Sequence, residues 1–127
     1  MTIPRNPSEF EIQAYLYAEL QRLGYVVRGE VVGASGRVDL VVFDGGVPVR
    51  VLEVKARLVN QQHGNTKAKR VAEQLARYRD DWCPATVLLV DGAEKAERLI
   101  ERVSRCGFRN HGNGKCHSID VPMPNTQ

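Results

Sequence analysis

Apolar residues recur at helical spacing at Ile12, Leu16, Leu20 and Leu23, which predicts a first helix of about four turns. Ser8 and Glu11 just ahead of that stripe have the spacing of a capping box, and Gly24 supplies a left-handed stop. Pro4 and Pro7 keep the preceding residues extended. The pattern then changes. Residues 25–32 are rich in aromatic and β-branched side chains and read as a strand, broken by Gly33-Ala34-Ser35-Gly36. Residues 38–43 and 47–55 read as two more strands, joined through Asp44-Gly45-Gly46, a strong hairpin signal.

Residues 60–66 are polar and read as a loop, and residues 67–80 return to a helical stripe through Ala68, Val71, Leu75 and Tyr78. The run 86–90 (Thr-Val-Leu-Leu-Val) lacks alternation, as expected of a strand covered on both faces. Asp91 and Glu94 have the spacing of a second capping box, opening a helix with Ala96, Leu99, Ile100 and Val103 on its stripe and Gly107 as its stop. Residues 110–114 read as loop and 116–121 as an edge strand, with a loose end beyond. The order is helix, three strands, helix, strand, helix: an α/β protein with a mixed sheet flanked by helices. The expected organisation is one domain, with a core over about residues 8–106 and a tail over 107–127.

Composition narrows the class without naming a function. A chain of 127 residues with 43% hydrophobic and 26% charged residues can bury a core, so disorder is not expected. The longest apolar runs fall short of a membrane span, and the first residues lack the apolar core of a signal peptide. The expected address is the cytoplasm. Cys83, Cys106 and Cys116 are an odd number of thiols, expected to be free. Cys116 adjoins His117 and lies near His111, but the spacing matches no common zinc pattern, so structural zinc is not expected. The net charge of +3 is too small to establish a polyanionic partner by itself.

Chemistry concentrates on the predicted hairpin. Side chains of equal parity share a strand face. A turn centred on Gly45 pairs Asp39 with Val51, and a longer loop pairs it with Glu53. In both registers Asp39, Glu53 and Lys55 point the same way. Two converging carboxylates repel unless a cation neutralises them, and hard oxygen ligands suit Mg²⁺ or Mn²⁺. A nearby ammonium can orient water or offset developing negative charge, which completes what phosphodiester hydrolysis needs. A Glu-x-Lys pair on a strand is common on solvated sheet faces. Here it follows Val49, Val51 and Leu52, and charges in an otherwise apolar strand usually have a reason.

Gly36-Arg37-Val38-Asp39, then thirteen residues, then Glu53-Val54-Lys55 resembles the PD-(D/E)xK nuclease superfamily, whose restriction-endonuclease-like core runs α-β-β-β-α-β. The resemblance covers about residues 8–91, with Val38 standing where the name-giving proline would be. It implies a Mg²⁺-dependent endonuclease acting on DNA, by in-line attack of water that leaves a 5′-phosphate. Asp39 and Glu53 would be metal ligands, the Val54 carbonyl a third oxygen, and Lys55 the group that orients water. Gln74-Leu-Ala-Arg-Tyr78 matches the Gln-x-x-x-Tyr motif of the subgroup similar to RecB-type and type I restriction nucleases. Its i, i+4 spacing puts Gln74 and Tyr78 on one helical face, to contact DNA or brace the site.

Many relatives also carry an acidic residue on the first helix. Glu9 shares the phase of Ile12, Leu16 and Leu20, which would turn it to the sheet, and is the candidate; Glu11 is taken by the capping box, and Glu19 lies off the stripe and is expected to be solvated. The spacing to Gly24 found in several relatives falls on Gln13 instead. Lys67, Lys69, Arg70 and Arg77, with Arg79 and Arg57, form a basic stretch suited to a phosphate backbone. His63 reads as a solvated loop residue. Two other readings stay open: a non-catalytic nucleic-acid-binding module with a nuclease fold, and a subunit that works inside a larger assembly. A homodimer fits the need for two cuts in a duplex. Duplex, branched and single-stranded DNA, and RNA, all remain open as substrates.

Overall fold

The computed structural model describes residues 2–56 and 64–108, with side chains in the second stretch from Lys67 onward. The elements are α1 (Glu9–Arg22), β1 (Val26–Gly33), β2 (Gly36–Asp44), β3 (Val47–Lys55), α2 (Gly64–Trp82), β4 (Thr86–Asp91) and α3 (Ala93–Cys106). The expected edge strand at 116–121, the loop at 110–114, Arg57, His63, His111, Cys116 and His117 lie outside the described residues.

At α1 the predicted capping box is present. Glu11 N–H donates to Ser8 Oγ at 3.1 Å, and Ser8 N–H donates to Glu11 Oε1 at 2.9 Å. Each side chain satisfies an amide that the first helical turn leaves without a partner. The buried face carries Ile12, Tyr15, Leu16, Glu19 and Leu20. Glu19 corrects the expectation of a solvated side chain. It follows Tyr15 by four and Leu16 by three, so it falls at the stripe's edge, and the Arg22 guanidinium binds it at 2.9 Å. That pairing is what lets a carboxylate sit there.

The strand order is β1-β2-β3-β4, antiparallel through the first three and parallel between β3 and β4. The parallel pair requires a crossover, and α2 supplies it. Two apolar clusters form on the sheet. One joins α1 and α3 to Val27, Leu40, Val42, Leu52, Val54, Leu88 and Val90. The other joins Val71, Leu75 and Tyr78 of α2 to Val38, Val41, Val51 and Val87. Strand β4 contributes to both, as its unbroken apolar run predicts.

Three local expectations give way. Helix α2 begins at Gly64, so 64–66 are helical rather than loop; helix boundaries are the least determined part of a periodic pattern. Ala68 is exposed instead of lying on the buried stripe, which starts at Val71. Helix α3 has no second capping box. Its N-cap is Gly92 with φ 101°, and no side chain caps it. Asp91 is the last residue of β4, opposite Lys55, so it is committed to the sheet one residue too early to cap.

Two features of the antiparallel ladder place Asp39. At the hairpin, Gly45 and Gly46 have φ 62° and 83°, the double positive φ of a tight two-residue turn. Phe43 pairs with Pro48, but Val42 pairs with Arg50, leaving Val49 as an extra residue on β3. A tight turn without that bulge would set Asp39 opposite Leu52 and turn Glu53 to the other face. With it, Leu40 lies opposite Leu52, and the same register continued by one residue brings Asp39 opposite Glu53. On the β1 side, Glu30 has φ 56°, and the ladder skips from Gly29↔Leu40 to Val31↔Val38.

Helix α1 carries Glu9 and Gln13 close to this ladder, so its start matters. Ser8→Ala should lower stability by about 1 kcal/mol with a melting midpoint a few degrees lower. Thermal denaturation followed by circular dichroism measures it.

Candidate active site

Asp39 and Glu53 face each other across β2 and β3, on the side that α2 covers. Three of the polar groups of Asp39 are held. Its carboxylate Oδ2 accepts from the Val54 N–H at 2.7 Å. Its carbonyl accepts from Gln13 Nε2 at 3.1 Å. Its own N–H donates to the Glu53 carboxylate. Glu53 is 5% exposed, and its Oε1 is buried without a hydrogen-bond partner among the described residues. Such an orphaned oxygen is costly, because nothing in the interior replaces the water it would bind when exposed.

The electrostatics follow from that burial. Desolvation pushes the Glu53 carboxyl up from its ordinary 4.5 to about 7, and the Asp39 charge adds to the push; Lys55 and the Asp39 N–H oppose it. Asp39 is raised in the same direction, chiefly by desolvation, against the Val54 hydrogen bond. Lys55, on the next residue of the same face, places Nζ 3.8 Å from Glu53 Oε2 with its side chain 26% exposed. Glu9 is exposed at the start of α1, and its charge is felt by both carboxylates.

Helix α2 closes this side of the site. Gln74 Nε2 donates to the Tyr78 hydroxyl at 2.6 Å, and that hydroxyl donates to the Arg37 carbonyl at 2.8 Å. Tyr78 is wholly buried, so it touches no ligand from outside. Of the two roles its motif suggested, bracing fits its position and direct DNA contact does not. Burial raises the Tyr78 hydroxyl, and the charges of Glu53 and Asp39 raise it further, which marks how close α2 lies to the carboxylates. Gln74 is half-buried, while Lys67, Lys69, Arg70 and Arg77 are exposed along α2.

The predicted residues therefore converge in part. Asp39, Glu53 and Lys55 form one cluster, Glu9 lies at its rim, and Gln74 with Tyr78 supports the strand two residues before Asp39. Val54 contributes its N–H to Asp39 and its side chain to the core. Among the described residues, no group of three or more His, Cys, Asp and Glu side chains is arranged to hold a metal ion. What the site offers a cation is two hard carboxylates, one with an unpartnered buried oxygen. That fits Mg²⁺, which is commonly held by one or two carboxylates and keeps several waters.

Two residues outside the predicted set also belong here. Gln13 donates to both Asp39 and Glu30, at 3.1 and 2.9 Å, and Glu30 pairs with Arg37 at 3.4 Å. The spacing to Gly24 pointed to Gln13; nothing in the residue types pointed to Glu30.

Comparison with protein-family models, with curated proteins and with solved structures finds no match to this chain.

The raised Glu53 carboxyl has a measurable consequence. Between pH 4.5 and about 7 the folded protein holds a proton that the unfolded chain has released. Its contribution to stability is full below pH 4.5 and is lost as pH rises through about 7. In metal-free buffer at pH 8, Glu53→Gln should be the more stable protein by up to about 3 kcal/mol, the two converging near pH 4.5. Equal denaturation midpoints across that range would show that Glu53 is not a desolvated carboxylate.

Proposed function

We propose that this protein is a Mg²⁺-dependent endonuclease that hydrolyses DNA phosphodiester bonds at Asp39, Glu53 and Lys55. The observation that carries the reading is the buried Glu53 carboxylate facing the half-buried Asp39, with the Lys55 ammonium 3.8 Å from Glu53. A structural ion pair has no need of a second carboxylate facing it, and a soluble sheet face would leave Glu53 in water. The element order α-β-β-β-α-β around a mixed sheet supports a restriction-endonuclease-like fold.

In this reading Asp39 and Glu53 hold Mg²⁺ or Mn²⁺, with the Val54 carbonyl as a third oxygen. The bound ion supplies charge neutralisation and Lewis-acid activation at the phosphate. Lys55 orients the attacking water and offsets negative charge developing on the phosphate. Glu53 must be ionised to do its part, so Mg²⁺ binding to the metal-free protein is expected to tighten as pH rises through about 7. Glu9 lies where it can adjust the charge at the rim. Lys67, Lys69, Arg70 and Arg77 offer the backbone contacts, with Gln74 between them and the site.

The first test is cleavage of supercoiled plasmid and of labelled linear and branched DNA with Mg²⁺, Mn²⁺ or EDTA. Wild type should cut only with metal. Glu53→Ala and Lys55→Ala should each lose at least about a hundredfold in rate while circular dichroism and DNA binding stay near wild type. Binding without cutting under every condition would favour a non-catalytic or partner-dependent nucleic-acid-binding module. The same assays on wild type at several protein concentrations would show whether two copies act together.

A second test concerns the basic helix. Replacing Lys69 and Arg70 with serine should weaken binding to all DNA sequences alike. The slope of log K against log salt should flatten by about 0.9 for each phosphate that is no longer neutralised. An unchanged slope would place the DNA elsewhere on the surface.

A further inference from the structure

Glu30 occupies the left-handed region of backbone space, at φ 56°, inside a strand. For a residue with a Cβ this conformation is unfavourable, and it persists only where the surroundings hold it. Two side chains hold it here. The carboxylate takes Gln13 Nε2 on one oxygen at 2.9 Å and the Arg37 guanidinium on the other at 3.4 Å. Gln13 then spends its second N–H on the Asp39 carbonyl at 3.1 Å. Both donors of one amide are used, and only the NH₂ end can face two acceptors, so the orientation of Gln13 is determined. The ladder gap beside Glu30 falls at Asp39, where Val31 and Val38 pass to the cluster under α2 while Leu40 and Val42 stay with the one under α1.

We infer that Gln13 and Glu30 are positioning residues: a clamp from α1 through β1 that fixes the Asp39 backbone so that its carboxylate stands opposite Glu53. The inference deepens the nuclease reading and rests on it for its purpose, but not for its test. The chain of contacts is continuous. Glu30 orients the Gln13 amide, the amide anchors the Asp39 carbonyl, and the Asp39 carboxylate then reaches the Val54 N–H. The clamp acts through Asp39 and touches no reacting atom. The left-handed Glu30 is the strained part, tolerated because it brings a charged acceptor to the amide.

Two variants separate positioning from plain stability. Gln13→Met keeps the volume and removes the amide. Glu30→Gly removes the carboxylate and relieves the backbone, because glycine adopts positive φ freely. The direct reporter is amide hydrogen exchange at Val54, whose N–H is bonded to the Asp39 side chain. In both variants that amide should exchange at least tenfold faster than in wild type, while the melting midpoint of Glu30→Gly stays at or above wild type. Cleavage, measured in parallel, should lose at least tenfold in kcat with KM for DNA within twofold. Unchanged Val54 exchange in Glu30→Gly overturns the clamp, whatever the cleavage shows. A Glu30→Gly protein that melts well below wild type overturns it too, by making Glu30 an ordinary structural residue. Faster Val54 exchange in both variants, beside a wild type that cuts no DNA, would sink the nuclease reading and leave the clamp standing.

Discussion

A buried carboxylate, Glu53, facing the half-buried Asp39 is the constraint around which this protein is arranged. Burial and the Asp39 charge both disfavour an ionised Glu53, so each neighbouring polar group has a definite task. The Val54 N–H steadies Asp39, the Asp39 N–H steadies Glu53, and Lys55 supplies the compensating charge. Even so, one oxygen of Glu53 is left without a partner among the described residues. A protein selected for stability alone would replace such a pair with apolar residues of similar volume. Its retention in the middle of an apolar strand is the physical reason to look for a ligand there.

The apolar framework serves this arrangement from both faces. Helices α1 and α3 pack on one side, and α2 covers β3 and β4 on the other. Tyr78 shows how the second side is used. Its ring belongs to the core, but its hydroxyl passes a hydrogen bond from Gln74 to the Arg37 carbonyl, on the strand that leads into Asp39. A buried phenol with both hydrogen-bonding roles filled ties helix to strand without exposing a polar atom.

Much of this is readable from residue order. Helical and strand periodicities give the element sequence, the Ser8–Glu11 box gives the start of α1, and residues 47–55 give the full extent of β3. The pairing of Asp39 with Glu53 is one of two registers the hairpin allows, but the route to it is not legible. A tight turn plus a bulge at Val49 does what a longer loop was expected to do. Val47, Val49 and Val51 alternate without a break, which hides the change of phase; Pro48, a residue confined in sheets to edges, strand starts and bulges, is the available signal. Glu30 is invisible for another reason: positive φ is signalled by glycine or asparagine, and a glutamate held there by tertiary contacts leaves no mark in the sequence. Glu19 and Asp91 depart from expectation because a partner three residues away, and a strand running one residue further, decide their surroundings.

The kink at Glu30 has a consequence for how copies of this protein meet. Strand β1 lies at one end of the sheet order, and Val26 and Val32 are exposed along it. A straight outer edge with apolar side chains is a template on which another chain can add its own strand, the first step towards aggregation. Left-handed Glu30 interrupts that edge in mid-strand, and both it and the exposed Arg28 put charge along it. The edge is thus poorly suited to continuous pairing with a second sheet. The distortion that serves the interior of the site also guards the rim of the sheet.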